Sequence, residues 1–411
     1  MARRILNVFL GKDLVGQLEQ DASGSTRFEY SEAWLNLPQA VPLSVSLPLE
    51  SGKFHRNKTR PFFAGLLPEE QIRRVVAATF GVSERNDFAL LEKIGAECAG
   101  AVSLLPPGDH PLDENPAYQE IDDDQLGKRL QSLPQHPLLA GEKGIRLSLA
   151  GAQGKLALRI DAGRFLLPLE GSPSTHILKP ENPRFPGLVE NEFFCMRLAA
   201  SVGLETARVE IGSASSIRFL QIERYDRRSE TGQRIARIHQ EDFCQALGVA
   251  PELKYEAEGG PGLKKCFELV RSVCSIPGPD MLRFFDAVVF NSLIGNCDAH
   301  GKNFSLLRDQ DSVRLAPLYD LVSTSAYPEL AGELAMKIGD ERNPLRLTAK
   351  NWRTFFDQAG IGQAQSRQRT LSMSDRILEA AENLAREDCP GAASVAPIVR
   401  EACGRLRGLR W

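Results

Sequence analysis

The chain lacks any run approaching the about 18 consecutive apolar residues that a membrane-spanning helix needs, so no transmembrane segment is expected. It has no C-x-x-C pair and no Cys/His cluster at zinc spacing; its eight cysteines read as free thiols in a reducing compartment. A basic excess is missing too. The formal net charge is −3, which disfavours a dedicated nucleic-acid binder. Behind the basic start Met1-Ala2-Arg3-Arg4 no apolar stretch follows, because Asp13, Gln17 and Glu19 interrupt it; a secretory signal is not expected, and the protein reads as cytoplasmic. There is no internal repeat and no low-complexity tract. What remains is ordinary globular composition over 411 residues, 42% hydrophobic and 25% charged, enough for two or three domains with a sizeable core.

Residues 1–107 alternate short apolar runs with turns. Ile5–Leu10 and Leu14–Leu18 read as strands, Ser44–Leu49 as a third, and helices are expected over Glu69–Phe80, stopping at Gly81, and Phe88–Ile94, stopping at Gly95. Residues 108–145 are rich in Pro, Asp, His and Gly, carry the run Asp122-Asp123-Asp124, and read as a linker or insertion. A new module begins near Arg146.

Four elements in that module point to a triphosphate site. The first is the turn Ser148-Leu149-Ala150-Gly151-Ala152-Gln153-Gly154-Lys155, leading into a strand. Small residues there let backbone N–H groups approach phosphates, and Lys155 adds positive charge. It is not a Walker A loop, since no G-K-[ST] opens a helix; an ordinary hairpin turn is the plainer alternative. The second is Lys179 at the end of the strand Thr175–Pro180, followed by the helix Glu190–Ala200 with Glu192 facing it; kinases pair a strand lysine with a helix glutamate to hold phosphates. An exposed lysine beside an amphipathic helix is the bland reading.

The third element is Gly295-Asn296-Cys297-Asp298-Ala299-His300-Gly301-Lys302-Asn303-Phe304. The preceding Met281, Leu282, Phe284, Phe285, Val288, Val289 and Leu293 recur at helical spacing, so a buried helix should end at Gly295. Asp298 and Asn303 then keep the D-x-x-x-x-N interval of a kinase catalytic loop, where the acid accepts the proton of the attacking hydroxyl and the amide oxygen reaches a metal beyond the phosphoryl group. The fourth is a hairpin, Phe304–Leu307 and Val313–Ala316 around Asp309-Gln310-Asp311-Ser312, followed by Tyr319-Asp320 where kinases keep their magnesium acid. A capping aspartate is the alternative. The order of the four is that of a kinase.

With these residues in hand, the chain resembles the HipA kinases of bacterial type II toxin–antitoxin modules. The resemblance is carried by Ser148–Gln153, Thr175–Lys179, Glu223-Arg224-Tyr225-Asp226-Arg227, His239–Gln245, Lys254-Tyr255-Glu256, Gly259-Gly260-Pro261-Gly262, Asp298–Ser305 and Tyr319-Asp320. In the first domain it is carried by Phe63–Glu69 and Ile94–Val102. It implies an α+β, two-lobed kinase-like fold with an N-terminal α+β extension (1–107), a small lobe over 146–225 and a mainly helical large lobe over 226–411. It implies Mg²⁺ and ATP, with Asp298 as base, Asn303 and Asp320 as metal ligands, and Lys179 on the phosphates. It places Glu223 and Tyr225 near the adenine, with Gln240 in the pocket. His300, Lys302 and Tyr319 are further candidates around the nucleotide; for His300, stabilising the loop is the plainer role. Ser148 stands where the family can autophosphorylate, which would add charge against ATP. The implied partners are a HipB-like helix-turn-helix antitoxin, DNA only through it, and a protein substrate such as an aminoacyl-tRNA synthetase; no membrane is involved.

Cys297 occupies the place of the arginine that precedes the base in typical protein kinases, so activation-loop phosphorylation is not expected. The basic stretch Val399–Trp411 reads as a solvated helix or tail, with contact to DNA or antitoxin as the alternative. Two other functions stay open: a small-molecule kinase on the same fold, and a pseudokinase that represses transcription with a partner.

Overall fold

Alternation of apolar and polar residues builds the first sheet. In the computed structural model, which describes residues 3–411 apart from 113–114, 231–233, 311 and 331, Arg4–Leu10 (β1) and Asp13–Gln20 (β2) pair antiparallel as expected. Met1 and Ala2 of the basic start and Asp311 of the expected turn lie outside the described residues. The sheet continues with Thr26–Tyr30 (β3), Lys53–His55 (β4) and Val102–Leu105 (β5) in the order β4-β3-β2-β1-β5.

Ser44–Leu49 is not the third strand; Ser44 and Leu47 make only an isolated bridge. Its donors are committed elsewhere. The Ser44 hydroxyl and the Val45 N–H donate to the Glu241 carboxylate at 2.5 and 3.0 Å, and Pro48 has no N–H for a ladder. The place beside β2 goes to β3, whose Phe28 and Tyr30 are buried. The expected helices run over Glu70–Thr79 and Asp87–Ile94. A further helix, Arg56–Gly65, brings Phe63 to within 5.5 Å of Phe28, ring centre to ring centre.

A second, six-stranded sheet holds Ala117–Ile121 (β6), Leu156–Asp161 (β7), Arg164–Leu169 (β8), His176–Pro180 (β9), Val209–Ala214 (β10) and Ile217–Glu223 (β11), ordered β10-β11-β9-β7-β8-β6. The linker expectation for 108–145 needs correcting. β6 is the edge strand beside β8, and Asp123–Ser132 is a helix with Leu126 and Leu130 in the core. The acidic run that looked like a solvated tract is a helix start. Asp122 closes a capping box with Gln125, and Asp123 and Asp124 sit in the first turn, where the helix dipole favours negative charge.

Contacts divide the chain into two units, residues 1–180, 212–251 and 307–310 in one, and 181–211, 252–306 and 311–411 in the other. The second unit is mainly helical: Leu188–Ser201, Leu263–Val273, Pro277–Leu293, Ala349–Ala359, Gln363–Arg386 and Ala392–Arg407. Phe267, Phe284, Phe285, Phe355 and Phe356 interlock at its centre, Phe285 stacking on Phe355 at 5.0 Å. The basic C-terminal stretch falls largely in the last helix, which buries Val399, Ala402, Cys403 and Leu406. No helix among the described residues is long and apolar enough to cross a membrane.

Candidate active site

The helix Pro277–Leu293 is buried along most of its length and stops at Gly295, whose φ of +69° is a left-handed conformation that glycine adopts without strain. The chain then turns into the loop with Asp298 and Asn303. Asparagines hold its shape. Asn291 anchors to the Ala287 carbonyl at 2.8 Å, Asn296 donates to the Asn291 amide oxygen at 2.7 Å, and the Asp298 N–H donates to Asn296 Oδ1 at 3.1 Å. The Cys297 N–H donates to Thr324 Oγ1 at 2.8 Å. These side chains do for an irregular loop what a ladder does for a strand.

Asn303 and Asp320 meet. Asn303 Nδ2 donates to Asp320 Oδ2 at 3.0 Å, while Asn303 Oδ1 accepts the His300 N–H at 3.2 Å. Asp320 has a φ of +58°, a left-handed conformation that Asp tolerates better than most residues. A carboxylate and an amide side by side are hard oxygen donors and fit a Mg²⁺ ion, which takes one or two carboxylates and fills the rest of its shell with phosphate oxygens and water. Tyr319 points into the same loop: its hydroxyl donates to the Lys302 carbonyl at 2.7 Å and lies 2.7 Å from Ser305 Oγ. Lys302 and His300 are both buried.

Asp298 is exposed, and Tyr255 donates its phenol hydroxyl to Asp298 Oδ1 at 2.7 Å. Lys254-Tyr255-Glu256 was visible as a motif, but nothing local in the sequence ties it to a loop 43 positions away. Asn296 is a second residue that sequence reasoning passed over.

In the first unit, Lys179 lies on β9 opposite Leu220 of β11 and is 6% exposed. In the second unit, Glu192 lies on Leu188–Ser201 and is 1% exposed. A charged side chain this buried demands a compensating environment. The turn before β7 is held by the N-terminal module. Leu147 bridges Glu97, Gly151 bridges Pro68, the Glu69 N–H donates to the Gly151 carbonyl at 3.2 Å, and Lys155 Nζ donates to the Ala150 carbonyl at 2.6 Å. Gly151 has a φ of +106°. Ala152 is exposed, and Ala150 and Gln153 are half-buried. Ser148 is fully buried and donates its hydroxyl to the Leu66 carbonyl at 2.8 Å.

The motif Glu223–Arg227 also docks on the N-terminal module. Arg224 and Arg227 reach Glu97 Oε1 at 3.0 and 2.9 Å and Asp226 at 2.8 and 2.9 Å, with every one of these side chains at most 4% exposed. Burial alone would push the Asp226 carboxyl up, but Arg224 and Arg227 outweigh it and hold it far below the carboxylate range. Glu97 is likewise held low, the guanidiniums overcoming its burial. Asp226 also accepts the Gly100 N–H at 2.7 Å. Tyr225 hydrogen-bonds Gln240 through its hydroxyl, so two candidate adenine-side residues are joined; Glu223, paired with His176 across the sheet, is exposed.

Residues 6–105 match the family model for the HipA N-terminal domain, and residues 147–385 that for the HipA-like C-terminal domain. The chain is 49% identical over 384 residues to Y4mE of Sinorhizobium fredii, a protein named as a kinase, covering 92% of this chain and 91% of that one. It is 34% identical to the serine/threonine-protein kinase toxin HipA of Shewanella oneidensis, over 87% of this chain and 83% of the toxin. HipA in the Shewanella oneidensis complex with HipB and operator DNA superposes with a TM-score of 0.86 at 30% identity, covering 98% of each chain. The expected α+β kinase-like fold is therefore the fold of this chain, which belongs to the HipA family.

Proposed function

We propose that this chain is an ATP-dependent serine/threonine protein kinase and the toxin of a type II toxin–antitoxin pair. The observation that supports it most is the meeting of Asn303 with Asp320, 17 positions on, in the same unit as Asp298, because these residues carry the metal-holding and proton-accepting roles of phosphoryl transfer. Asp298 takes the proton of the acceptor hydroxyl. Asn303 and Asp320 would hold Mg²⁺, which would supply positive charge to offset that of the phosphoryl group. Lys179 binds phosphate oxygens, and the turn Ala150-Gly151-Ala152-Gln153 with Lys155 covers them. Glu223, Tyr225 and Gln240 take the adenine side. Lys302 adds positive charge, and Tyr319 and His300 keep the loop in shape.

The acceptor is a protein serine or threonine, with a translation component such as an aminoacyl-tRNA synthetase as the target. The antitoxin is a small helix-turn-helix protein, and DNA is reached only through it. Ser148 is an autophosphorylation site. Its buried hydroxyl, bonded to Leu66, requires the segment to leave its seat before phosphate can be added, and the added charge then prevents its return.

The test compares the wild-type chain with Asp298→Asn, incubated with Mg²⁺ and γ-labelled ATP and analysed by intact mass. Label on the wild-type chain and none on the variant is the expected result. Equal labelling of both removes Asp298 as base. Labelling of a metabolite pool with none on protein favours the small-molecule reading, and nucleotide binding without any transfer favours the pseudokinase.

A further inference from the structure

Phosphoryl transfer as proposed leaves two motifs without a task, Lys254-Tyr255-Glu256 and Gly259-Gly260-Pro261-Gly262. They form one tight loop. The N–H groups of Glu258 and Gly260 both donate to the Tyr255 carbonyl, at 3.0 and 2.9 Å. A Cβ at Gly260 would stand 2.3 Å from the Leu253 carbonyl oxygen and 2.7 Å from that of Tyr255, and one at Gly262 would stand 2.9 Å from the Glu256 carboxyl carbon. Only glycine lets the loop close on itself this way.

The closed loop is fastened to the catalytic loop at two points. The Glu256 N–H donates to the Ala335 carbonyl at 3.1 Å, and the Glu256 carboxylate accepts the Lys337 N–H at 2.7 Å. The Ala335 N–H in turn donates to the carbonyl of Cys297, the residue before Asp298, at 2.8 Å. The second fastening is the tyrosine itself. Its ring meets His300 edge-on at 5.2 Å and 79°, and its hydroxyl donates to Asp298 Oδ1 at 2.7 Å. The chain therefore runs a closed circuit, Tyr255 to Asp298 to Cys297 to Ala335 to Glu256 and back.

Asp298 is exposed, and an exposed carboxylate samples several rotamers. A base that must meet a hydroxyl within hydrogen-bond reach loses rate with each rotamer that points elsewhere. We propose that Tyr255 is the positioning residue of this kinase: its hydroxyl pins one oxygen of Asp298, so the carboxylate already has its working orientation when the acceptor arrives. The glycine loop exists to hold that phenol still. This rests on Asp298 being the base. A competing idea, that the phenol stands in for the acceptor hydroxyl and blocks the site, predicts the opposite sign.

The experiment uses the full chain as wild type, Tyr255→Phe and Asp298→Asn, with label transfer from γ-labelled ATP and Mg²⁺ into the chain as readout. Phenylalanine keeps the ring on His300 and deletes only the hydroxyl. The expected result is a rate at saturating ATP lower by about 10- to 100-fold, with the ATP concentration for half-maximal rate and the thermal unfolding midpoint unchanged. A wild-type or faster rate overturns the assignment. So does a loss shared with ATP half-saturation, and so does a fall in rate accompanied by a lost unfolding transition, since the hydroxyl then serves binding or the fold. Asp298→Asn separates the two levels. If it is dead while Tyr255→Phe runs at the wild-type rate, only the tyrosine assignment falls; if it labels like wild type, or the wild-type chain takes no label, the reading of Asp298 falls first.

Discussion

Replacing Glu97 by Gln should be one of the most damaging conservative changes in the chain. Glu97 Oε1 accepts from Arg224 at 3.0 Å, Arg227 at 2.9 Å, and the Ser174 N–H and hydroxyl at 3.0 Å each. Two carboxylates balance two guanidiniums in a site where no side chain exceeds 4% exposure. Glutamine keeps the volume but leaves one buried positive charge uncompensated. Breaking a buried pair in this way costs about 3–5 kcal/mol, against a total stability of about 5–15 kcal/mol for a typical domain. Urea unfolding at neutral pH reads the loss. A cycle with Arg227→Met sharpens it: the double variant should lose less than the sum of the singles by at least about 1 kcal/mol, because removing both charges restores neutrality. Because Glu97 and Asp226 titrate below the ordinary carboxylate range, their stabilisation is complete above that range and is lost as pH falls through the depressed values, so the gap between wild type and variant should close in acid. Glu97→Gln within about 0.5 kcal/mol of wild type, or strict additivity in the cycle, refutes the reasoning.

Two other perturbations act on the same unit. Gly100→Ala places a Cβ 2.6 Å from the Gln240 nitrogen at a φ of +70°, so stability should fall by more than about 1 kcal/mol in urea titrations and the Tyr225–Gln240 contact should shift; an unchanged midpoint counts against the close approach. Glu241 behaves in the opposite sense to Glu97. Burial pushes its carboxyl up from 4.5 to about 7, despite the Ser44 and Val45 donors and Arg308 nearby. The folded state therefore holds a proton that the unfolded state releases. The stabilisation is full below the ordinary value and falls by about 3 kcal/mol as pH rises to about 7, staying flat above. Wild type should lose unfolding temperature between pH 5 and 7 relative to Glu241→Gln, and parallel curves for the two would contradict the shift.

The sequence carried the parts of this molecule that depend on near neighbours. The buried helix Pro277–Leu293 follows from apolar spacing, its stop from Gly295, and the Asp298–Asn303 interval from the loop it opens. β1, β2 and the helices Glu70–Thr79 and Asp87–Ile94 were equally local. Where reading failed, a distant partner decided. Ser44–Leu49 has strand-forming residues, yet its donors serve Glu241, almost two hundred positions on. The run Asp122–Asp124 is polar enough for a linker, and becomes a helix start only because Leu126 and Leu130 find the second sheet's core. Tyr255 belongs to a visible motif, but its partner Asp298 is fixed by the fold.

The seam between Glu97, Pro68 and the turn Leu147–Gly151 limits how this chain can be taken apart. A fragment beginning at the second family-model match would carry Arg224 and Arg227 with half their counter-charge gone, and a turn Leu147–Gly151 with nothing to lie against. Residues outside that match thus serve as a built-in scaffold for it. Chimeras that exchange the first hundred residues between relatives need a matched carboxylate at Glu97, or the recipient's buried arginines inherit the mismatch.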